Sequence, residues 1–155
     1  MQDVTLTGAI TVRPARCADA QQIETLLYAE DLDRSALIFV DFMVAEDAKG
    51  TFAGCARLKL SHDCIELSSV AVHPIYRGQG VGSMVVTALL QRRDVQIIHL
   101  VCEPKEVPFF ARFGFRVLPR EEVPLSLIPK LLAYEAKVGT MVAMKRTGES
   151  QISRS

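Results

Sequence analysis

The stretch SSVAVHPIYRGQGVGSMVVTALLQRR, residues 68–93, carries the strongest pattern in this chain. An apolar run ends at Val72, a His-Pro pair interrupts it, and three glycines follow at alternate positions, Gly78, Gly80 and Gly82. Apolar positions then recur with helical spacing. A strand that passes through a glycine-rich turn into a helix typically binds an anion, because the turn exposes backbone N–H groups and the helix N-terminus adds positive charge.

The composition predicts one domain without a charge bias. The 155 residues include 18 Lys plus Arg and 18 Asp plus Glu, and 49% are hydrophobic but only 6% aromatic. This balance argues against nucleic acid or a membrane surface as a partner. The low aromatic content predicts a mainly aliphatic core. We expect a single domain over residues 1–146 and a disordered polar tail over residues 147–155.

The cysteines and the N-terminus predict a cytoplasmic protein that holds no metal. Cys17, Cys55, Cys64 and Cys102 lie far apart and form no C-x-x-C pair, so we expect buried free thiols rather than a zinc site. The N-terminal MQDVTLTGAITV has no positive cluster and no long apolar run, which predicts the absence of a signal peptide. No segment approaches the roughly 18 apolar residues of a membrane span.

The order of predicted elements indicates an α+β domain. Alternating or β-branched runs predict strands over residues 9–13, 41–47, 51–60, 64–72, 96–102, 115–118 and 139–146. Helical spacing predicts helices over about 20–30, 80–92, 107–113 and 129–137. Residues 31–40 have no clear pattern. A strand-rich first half followed by alternating strands and helices favours a mixed sheet.

Two familiar phosphate-binding designs do not fit the glycine turn. A Walker loop needs Lys-Ser or Lys-Thr after its last glycine, and this chain has Ser83-Met84 there. A dinucleotide fingerprint needs the spacing G-x-G-x-x-G on the first strand of a βαβ unit, whereas antiparallel strands precede these alternating glycines. A third design fits, in which several turn amides converge on one anion. The structural alternative is an ordinary glycine-rich turn between a strand and a helix.

The pattern Arg-x-x-Gly-x-Gly on Arg77, Gly80 and Gly82 resembles the pyrophosphate loop of the GNAT superfamily, the acetyl-CoA-dependent N-acetyltransferases. The segment FFARFGF, residues 109–115, is similar to the segment found downstream in that family. The resemblance covers about residues 9–146. It implies a mixed, mostly antiparallel central sheet of about six or seven strands, flanked by helices and splayed between the fourth and fifth strands.

The resemblance also assigns residues to acetyl-CoA and implies no metal. Backbone groups at the end of the fourth strand would pair with the pantetheine arm, and amides of the glycine turn would hold the pyrophosphate. Two phenylalanine rings of the short helix would line the wall beside the thioester. The residues so assigned are Val70, Ala71, Val72, Arg77, Gly78, Gln79, Gly80, Val81, Gly82, Ser83, Phe109 and Phe110.

Glu66 is the candidate general base. Acetyl transfer needs a neutral amine, so a base must take a proton from the ammonium directly or through water. Glu66 lies on the fourth strand eleven residues before Arg77, where many GNAT members carry a glutamate base. Its neighbours Ile65 and Leu67 face the opposite side of the strand. The alternative is a solvent-facing glutamate without a catalytic role.

The chain departs from the family pattern in the short helix. Many members have a tyrosine there that protonates the leaving thiolate, but this chain has Phe110, which cannot donate a proton. The common asparagine at the start of the segment is also absent, and Glu103 stands near its place. The Phe-Phe pair and the following REEVP, residues 120–124, resemble the N-acetylglutamate-synthase-like branch, whose acceptor is an amino acid.

Several other reactive residues are interpreted as structural. The three histidines are scattered, and an acyl-cysteine route through Cys102 is uncommon in this fold. Arg112 and Arg116 are either surface arginines or partners of an acceptor carboxylate. The histidines are His62, His73 and His99.

The sequence therefore predicts an N-acetyltransferase that transfers acetyl from acetyl-CoA to a primary amine of a small molecule by direct attack. An amino acid is favoured as the acceptor over an antibiotic or polyamine. Two alternatives stay open: a protein lysine or N-terminal acetyltransferase, and a non-catalytic coenzyme A sensor. A homodimer is compatible with all three.

Overall fold

The computed structural model describes residues 9–93 and 96–148. These residues belong to two compact units. The first contains Met1–Leu58 and Ser68–Arg92, and the second contains Lys59–Leu67 and Arg93–Ser155. A single domain over 1–146 stays a prediction. The expected N-terminal features and most of the expected tail fall on residues 1–8 and 149–155, outside the described residues.

Among residues 9–93 and 96–148, seven strands and four helices follow the order that the sequence predicts. The strands are β1 (Thr11–Pro14), β2 (Phe42–Glu46), β3 (Phe52–Leu60), β4 (Ile65–Val72), β5 (Ile98–Cys102), β6 (Arg116–Val117) and β7 (Val142–Arg146). The helices are α1 (Ala20–Ala29), α2 (Val81–Arg92), α3 (Val107–Ala111) and α4 (Ile128–Val138). Short 3-10 turns connect several of them, including one at Phe39–Asp41 in the segment without a clear pattern.

The strands pair in the order β1-β2-β3-β4-β5-β7-β6. Pairing is antiparallel for β1–β2, β2–β3, β5–β7 and β6–β7, and parallel for β4–β5. Strand β4 contributes its first residues to the second unit and its last residues to the first. The predicted α+β class with a mixed, mostly antiparallel sheet is confirmed. Splaying of β4 from β5 stays a prediction.

The first unit packs α1 on its strands through one apolar stripe. Ile23, Leu26 and Leu27 are the buried residues of α1, at the spacing of one helix face. They join Phe42 and Val44 of β2 in an aliphatic and aromatic cluster. Burying side chains of this kind contributes about 1.5–3 kcal/mol each. The predicted aliphatic core is therefore observed in this unit.

A charged group fixes the start of α1. Arg13 of β1 donates to Asp19 at 2.8 and 3.0 Å and to Glu46 of β2 at 3.0 Å. Asp19 also accepts from the backbone N–H of Arg16 at 2.6 Å. Asp19 therefore closes the 3-10 turn that precedes α1, and its pKa lies below its usual value chiefly because of the hydrogen bond from Arg13.

The second unit packs α4 against β5–β7. Leu127 and Leu131 are almost fully buried. Leu127 packs with Leu118 and Ala143 in an apolar cluster. Gly139, at φ +99°, ends α4 after Val138, which is why β7 begins at Val142 rather than at the predicted residue 139.

The cysteine prediction is partly wrong. Cys55 and Cys102 are buried, but Cys17 is exposed and Cys64 is half-buried. Cys17 opens the 3-10 turn before α1, a surface position that a sequence reading of its apolar neighbours misses. Within residues 9–93 and 96–148, no His, Cys, Asp or Glu group of three or more is arranged to hold a metal. The helices of the same residues are too short or too polar to cross a membrane.

Candidate active site

Strand β4 has an irregular backbone at Ser69, in the first unit. Ser69 has φ +58°, a left-handed conformation that is rare for a residue other than glycine, asparagine or aspartate. Burial also stops alternating before it, because Glu66, Leu67, Ser68 and Ser69 are all buried in succession. The resemblance implied a bulge at the end of this strand, and Ser69 is where the backbone departs from extended geometry.

A buried arginine holds this irregular backbone. Arg57 of β3 is fully buried, and its Nε lies 3.1 Å from the Ser69 hydroxyl and 3.3 Å from that of Ser68. Its Nη1 donates to the carbonyl of Ala36 at 3.0 Å, and the Ser69 hydroxyl donates to the carbonyl of Asp33 at 3.0 Å. Arg57 therefore ties the segment around residues 33–36 to β4. Sequence reasoning missed it, although an arginine inside the buried run FAGCARL was a signal.

The glycine turn has the geometry of an anion cradle. Gly78 and Gly80 adopt φ +77° and +81°, and a Cβ added at either position would meet nothing within 4 Å. Helix α2 begins at Val81, so its first amides have no partner within the helix and add partial positive charge. Open space, left-handed glycines and helix amides together fit the pyrophosphate of coenzyme A.

Side chains on both sides brace the turn. The Tyr76 hydroxyl donates to Asp47 at 2.6 Å, and Asp47 also accepts from the backbone N–H groups of Lys49 and Thr51. The hydrogen bond from Tyr76 is the largest cause of the lowered pKa of Asp47. Arg77 pairs with Glu30 at 2.6 Å, and its Nε donates to the carbonyl of Val72 at 3.3 Å. Arg77 thus links the turn to the residue that follows α1.

A cavity of about 570 Å³ opens beside the turn, within the first unit. Leu26 and Glu30 line one side, and Phe52, His73 and Pro74 line another. Its size is in the range of small-ligand sites. His73 also orders the start of the turn, because its Nδ1 accepts from the backbone N–H of Ile75 at 3.4 Å. This supports the structural interpretation of His73.

Glu66, the candidate base, lies in the second unit and is not solvent-facing. Its side chain is 3% exposed, and its carboxylate forms an ion pair with the ammonium of Lys130 on α4. The solvent-facing alternative is excluded by this burial. Lys130 was absent from the sequence-based site, because only the folded chain brings residue 130 to residue 66.

His99 lies opposite Glu66 in the parallel pairing of β4 and β5. It is 9% exposed, and its Nδ1 has no hydrogen-bond partner among the described residues. Burial is the largest cause of its lowered pKa, the positive charge of Lys145 lowers it further, and Asp63 opposes the shift. His99 is therefore a buried, neutral imidazole near pH 7, at the strand position that pairs with Glu66.

The phenylalanines of α3 form an edge-to-face group in the second unit. Phe110 is 8% exposed, with its ring centroid 5.0 Å from that of Phe109 and 6.2 Å from that of Phe115. The guanidinium of Arg112 lies over Phe109 and Phe113 at 5.1 and 5.8 Å. Phe110 is thus a core ring and Phe109 is the more accessible of the pair. Contact of either ring with a thioester stays a prediction.

Cys102 is a protonated thiol. It ends β5, is buried, and lies 3.9 Å from the sulfur of Met144. Burial is the largest cause that raises its pKa to about 12, and the charges of Glu106 and Glu103 add to it. A thiol with such a pKa is a poor nucleophile at neutral pH, in agreement with the structural interpretation.

Within each unit, the predicted site residues come together as follows. The first unit brings together the end of β4 and the glycine turn: Val70, Ala71, Val72, Arg77, Gly78, Gln79, Gly80, Val81, Gly82 and Ser83. The second unit holds Glu66, Phe109 and Phe110. Their roles stay predictions.

The chain matches known acetyltransferases. The model of the acetyltransferase (GNAT) domain matches residues 39–117, just over half of the chain. An amino-acid acetyltransferase of Mycobacterium tuberculosis is 37% identical over 116 residues, which cover 67% of each protein. These matches place residues 39–117, including the glycine turn and α3, in a family of known chemistry.

Solved structures agree with this match. Rv2747 from Mycobacterium tuberculosis, in complex with CoA and NLQ, has a TM-score of 0.70 at 26% identity, over 88% of this chain and 98% of that one. N-acetylglutamate synthase from Neisseria gonorrhoeae, complexed with coenzyme A and L-arginine, has a TM-score of 0.70 at 19% identity and shows the same fold. This chain is covered to 91% but spans only 34% of that synthase. The chain belongs to the GNAT family and is an acetyl-CoA-dependent N-acetyltransferase.

Proposed function

We propose that this enzyme acetylates the primary amine of a small molecule, an amino acid, with Glu66 as the proton acceptor. The observation that carries the proposal is the buried carboxylate of Glu66 on β4, opposite the neutral His99. A carboxylate held away from water can accept a proton from an incoming ammonium. The amino-acid acetyltransferase that is 37% identical supports an amino acid as the acceptor.

The proposed reaction is a direct transfer. Acetyl-CoA supplies an acetyl group activated as a thioester. Amides of the glycine turn bind its pyrophosphate, and the left-handed Gly78 and Gly80 let the backbone approach the phosphates. Glu66 accepts one proton from the acceptor ammonium. The free amine then attacks the thioester carbonyl carbon, so that a C–N bond forms and the C–S bond breaks.

The chain offers no tyrosine on α3 to protonate the leaving sulfur. Phe110 stands at that position and packs against two other rings. We therefore propose that the sulfur departs as a thiolate and takes its proton from water. A second proton of the attacking nitrogen is lost to solvent as the amide forms, and the third stays on the amide nitrogen.

An acceptor screen tests the proposal. Release of free thiol from acetyl-CoA is followed with the twenty L-amino acids, polyamines, aminoglycosides, and peptides with a free N-terminus or lysine. We expect one or a few amino acids to be acetylated at least tenfold faster than any other class. Faster acetylation of a peptide would instead favour a protein acceptor. Association into a homodimer and a cytoplasmic location stay predictions.

A further inference from the structure

Glu66 and Lys130 form a nearly buried ion pair at the proposed base. Their side chains are 3% and 18% exposed. The ammonium of Lys130 also lies 5.9 Å from the ring centre of Tyr134, one turn further along α4. The short turn before α4 is fixed to the chain just before β4, because Asp63 accepts from the backbone N–H of Ser126 at 3.1 Å and from its hydroxyl. The start of β4, which carries Glu66, and the turn before α4, which precedes Lys130, are therefore joined by hydrogen bonds.

A contribution to the free energy of unfolding is a poor explanation for this ion pair. Removing two charges from water has a desolvation cost that their attraction often fails to offset, and well-packed apolar residues are usually as good or better. The apolar cluster of Leu127, Leu118 and Ala143, against which Ile128 of α4 packs, already holds α4 in this unit. A second explanation is that the pair is exposed in part to receive a ligand, since Lys130 keeps 18% of its surface accessible.

The ligand that complements an ion pair is a zwitterion. An α-amino acid carries an ammonium and a carboxylate on neighbouring atoms of one carbon. If its carboxylate engages Lys130 and its ammonium engages Glu66, both charges of the protein keep an opposite partner, and the net charge of the site does not change. A diamine or polyamine would instead bring a cation to Lys130 without a carboxylate to engage it.

We infer that Lys130 binds the carboxylate of the acceptor amino acid. When the amino acid binds, the ion pair of Lys130 with Glu66 is replaced by an ion pair of Lys130 with this carboxylate. The inference rests on the proposed function. The exchange leaves Glu66 facing the acceptor ammonium, whose proton it takes. The nitrogen then attacks the thioester carbon as described above. Lys130 thus determines specificity, and the ligand-free pair keeps Glu66 engaged until a carboxylate arrives.

The first test compares acids with their amides. Steady-state rates are measured for the twenty L-amino acids and their α-carboxamides with wild-type enzyme, Lys130→Gln and the control Lys137→Gln. Lys137 lies in the last turn of the same helix and is exposed. A charge-assisted contact contributes about 1.5–3 kcal/mol, or roughly 10- to 150-fold. We expect wild type and Lys137→Gln to prefer the acid by such a factor in kcat/KM, and Lys130→Gln to lose the preference.

Two outcomes separate the inference from the proposed function. If no amino acid is acetylated while other amines are, the proposed function fails and the inference falls with it. If amino acids are acetylated but Lys130→Gln still prefers the acid, or wild type has no preference, the function stands and Lys130 is not the receptor.

A second variant covers the case in which Lys130→Gln does not fold, since it leaves Glu66 without its partner. Glu66→Gln removes the carboxylate that pairs with Lys130, and the double variant with Lys130→Gln removes both charges together. Calorimetry with the preferred amino acid should show that Glu66→Gln still binds it, although its turnover falls. The double variant should bind at least tenfold more weakly than Glu66→Gln. Equal binding by the two variants overturns the inference.

Discussion

At the scale of single residues, the first prediction concerns Glu66, the proposed proton acceptor. Replacing it with glutamine keeps the size of the side chain but removes the proposed proton acceptor. General-base catalysis typically contributes about 10²–10⁴-fold to the rate. We expect turnover of the preferred acceptor to fall by that factor, while the affinity for acetyl-CoA, measured by calorimetry, stays within about twofold. Turnover at the wild-type level would assign the proton transfer to another group.

Phe110 gives a second prediction at this scale. Because its ring is 8% exposed and packs edge-on to Phe109 and Phe115, the hydroxyl of Phe110→Tyr enters a dry group of rings. An unsatisfied buried hydroxyl costs about 1–3 kcal/mol. We expect denaturant unfolding to show that loss for Phe110→Tyr and little change for the control Phe109→Tyr. Unchanged stability together with a higher turnover would instead place the hydroxyl introduced by Phe110→Tyr near the leaving sulfur.

The sequence predicts single residues unequally. Strand alternation and the distance to the glycine turn point to Glu66 without any structure. Neither Lys130 nor Arg57 can be identified from the sequence in this way. The partner of Lys130 lies 64 residues away along the chain, and the partners of Arg57 lie 11 to 24 residues away. Charge pairs between distant segments leave no local pattern, so these contacts could be found only in the folded chain.

At the scale of elements, the turn before α2 depends on Gly80. Valine at φ +81° is strained by about 1–3 kcal/mol, and its side chain would fill the open space proposed for the pyrophosphate. We expect Gly80→Val to lose acetyl-CoA binding in calorimetry while the protein stays folded. Gly139→Val is the matched control, because Gly139 has φ +99°, equally open space and no place in the turn. Its strain should lower stability but leave acetyl-CoA affinity unchanged.

The packing of β3 against the end of β4 depends on Gly54. A Cβ there would lie 2.8 Å from the carbonyl oxygen of Ala71 and 3.1 Å from a methyl of Val81. The first contact is with backbone, so β4 and the start of α2 must shift. We expect Gly54→Ala to lower the melting temperature and to weaken acetyl-CoA binding together. Gly50→Ala provides a contrast, since a Cβ at Gly50 meets nothing within 4 Å, and only its left-handed φ should matter. An unchanged acetyl-CoA affinity in Gly54→Ala would show that the turn tolerates the shift.

Element order follows from sequence better than element ends do. Hydrophobic periodicity predicts the seven strands and four helices of the described part of the chain, because burial imposes periods of two and 3.6 residues. Helix α3 is shorter than the predicted 107–113, ending at Ala111 before the left-handed Gly114. The left-handed backbone at Ser69 has no sequence signal, since serine rarely adopts φ > 0 and Arg57, which donates to its hydroxyl, lies on another strand.

At the scale of the whole molecule, acid should destabilise the fold in two steps. The pKa of His99 is lowered by burial, and the pKa values of Asp19 and Asp47 are lowered by hydrogen bonds from Arg13 and Tyr76. A group with a lowered pKa in the folded state contributes stability above its unfolded pKa and loses it as pH falls. The first loss begins near pH 6.5 with His99 and the second near pH 4 with the carboxyls.

The first step is tested by unfolding in urea between pH 8 and 5. Wild type should lose stability as pH falls through about 6.5, whereas His99→Gln should change less over the same range. Lys145 and Asp63, the charges that act on His99, remain in both proteins. The exposed His62 supplies the control His62→Gln, which should follow wild type. Parallel curves for wild type and His99→Gln would show that His99 is not the cause.

Ser69 has a consequence for exchanging parts between relatives. In a regular strand, successive side chains point to opposite faces of the sheet. A left-handed residue inside the strand breaks this alternation, so the face of a residue after Ser69 cannot be counted from the residues before it. Consider a chimera that joins the first half of β4 to the second half of the same strand from a relative without such a residue. The side chains of one half would then point to the wrong face of the sheet, even if each residue were tolerated when substituted alone. Exchanges of segments between relatives therefore need to keep the number of residues between Glu66 and Arg77.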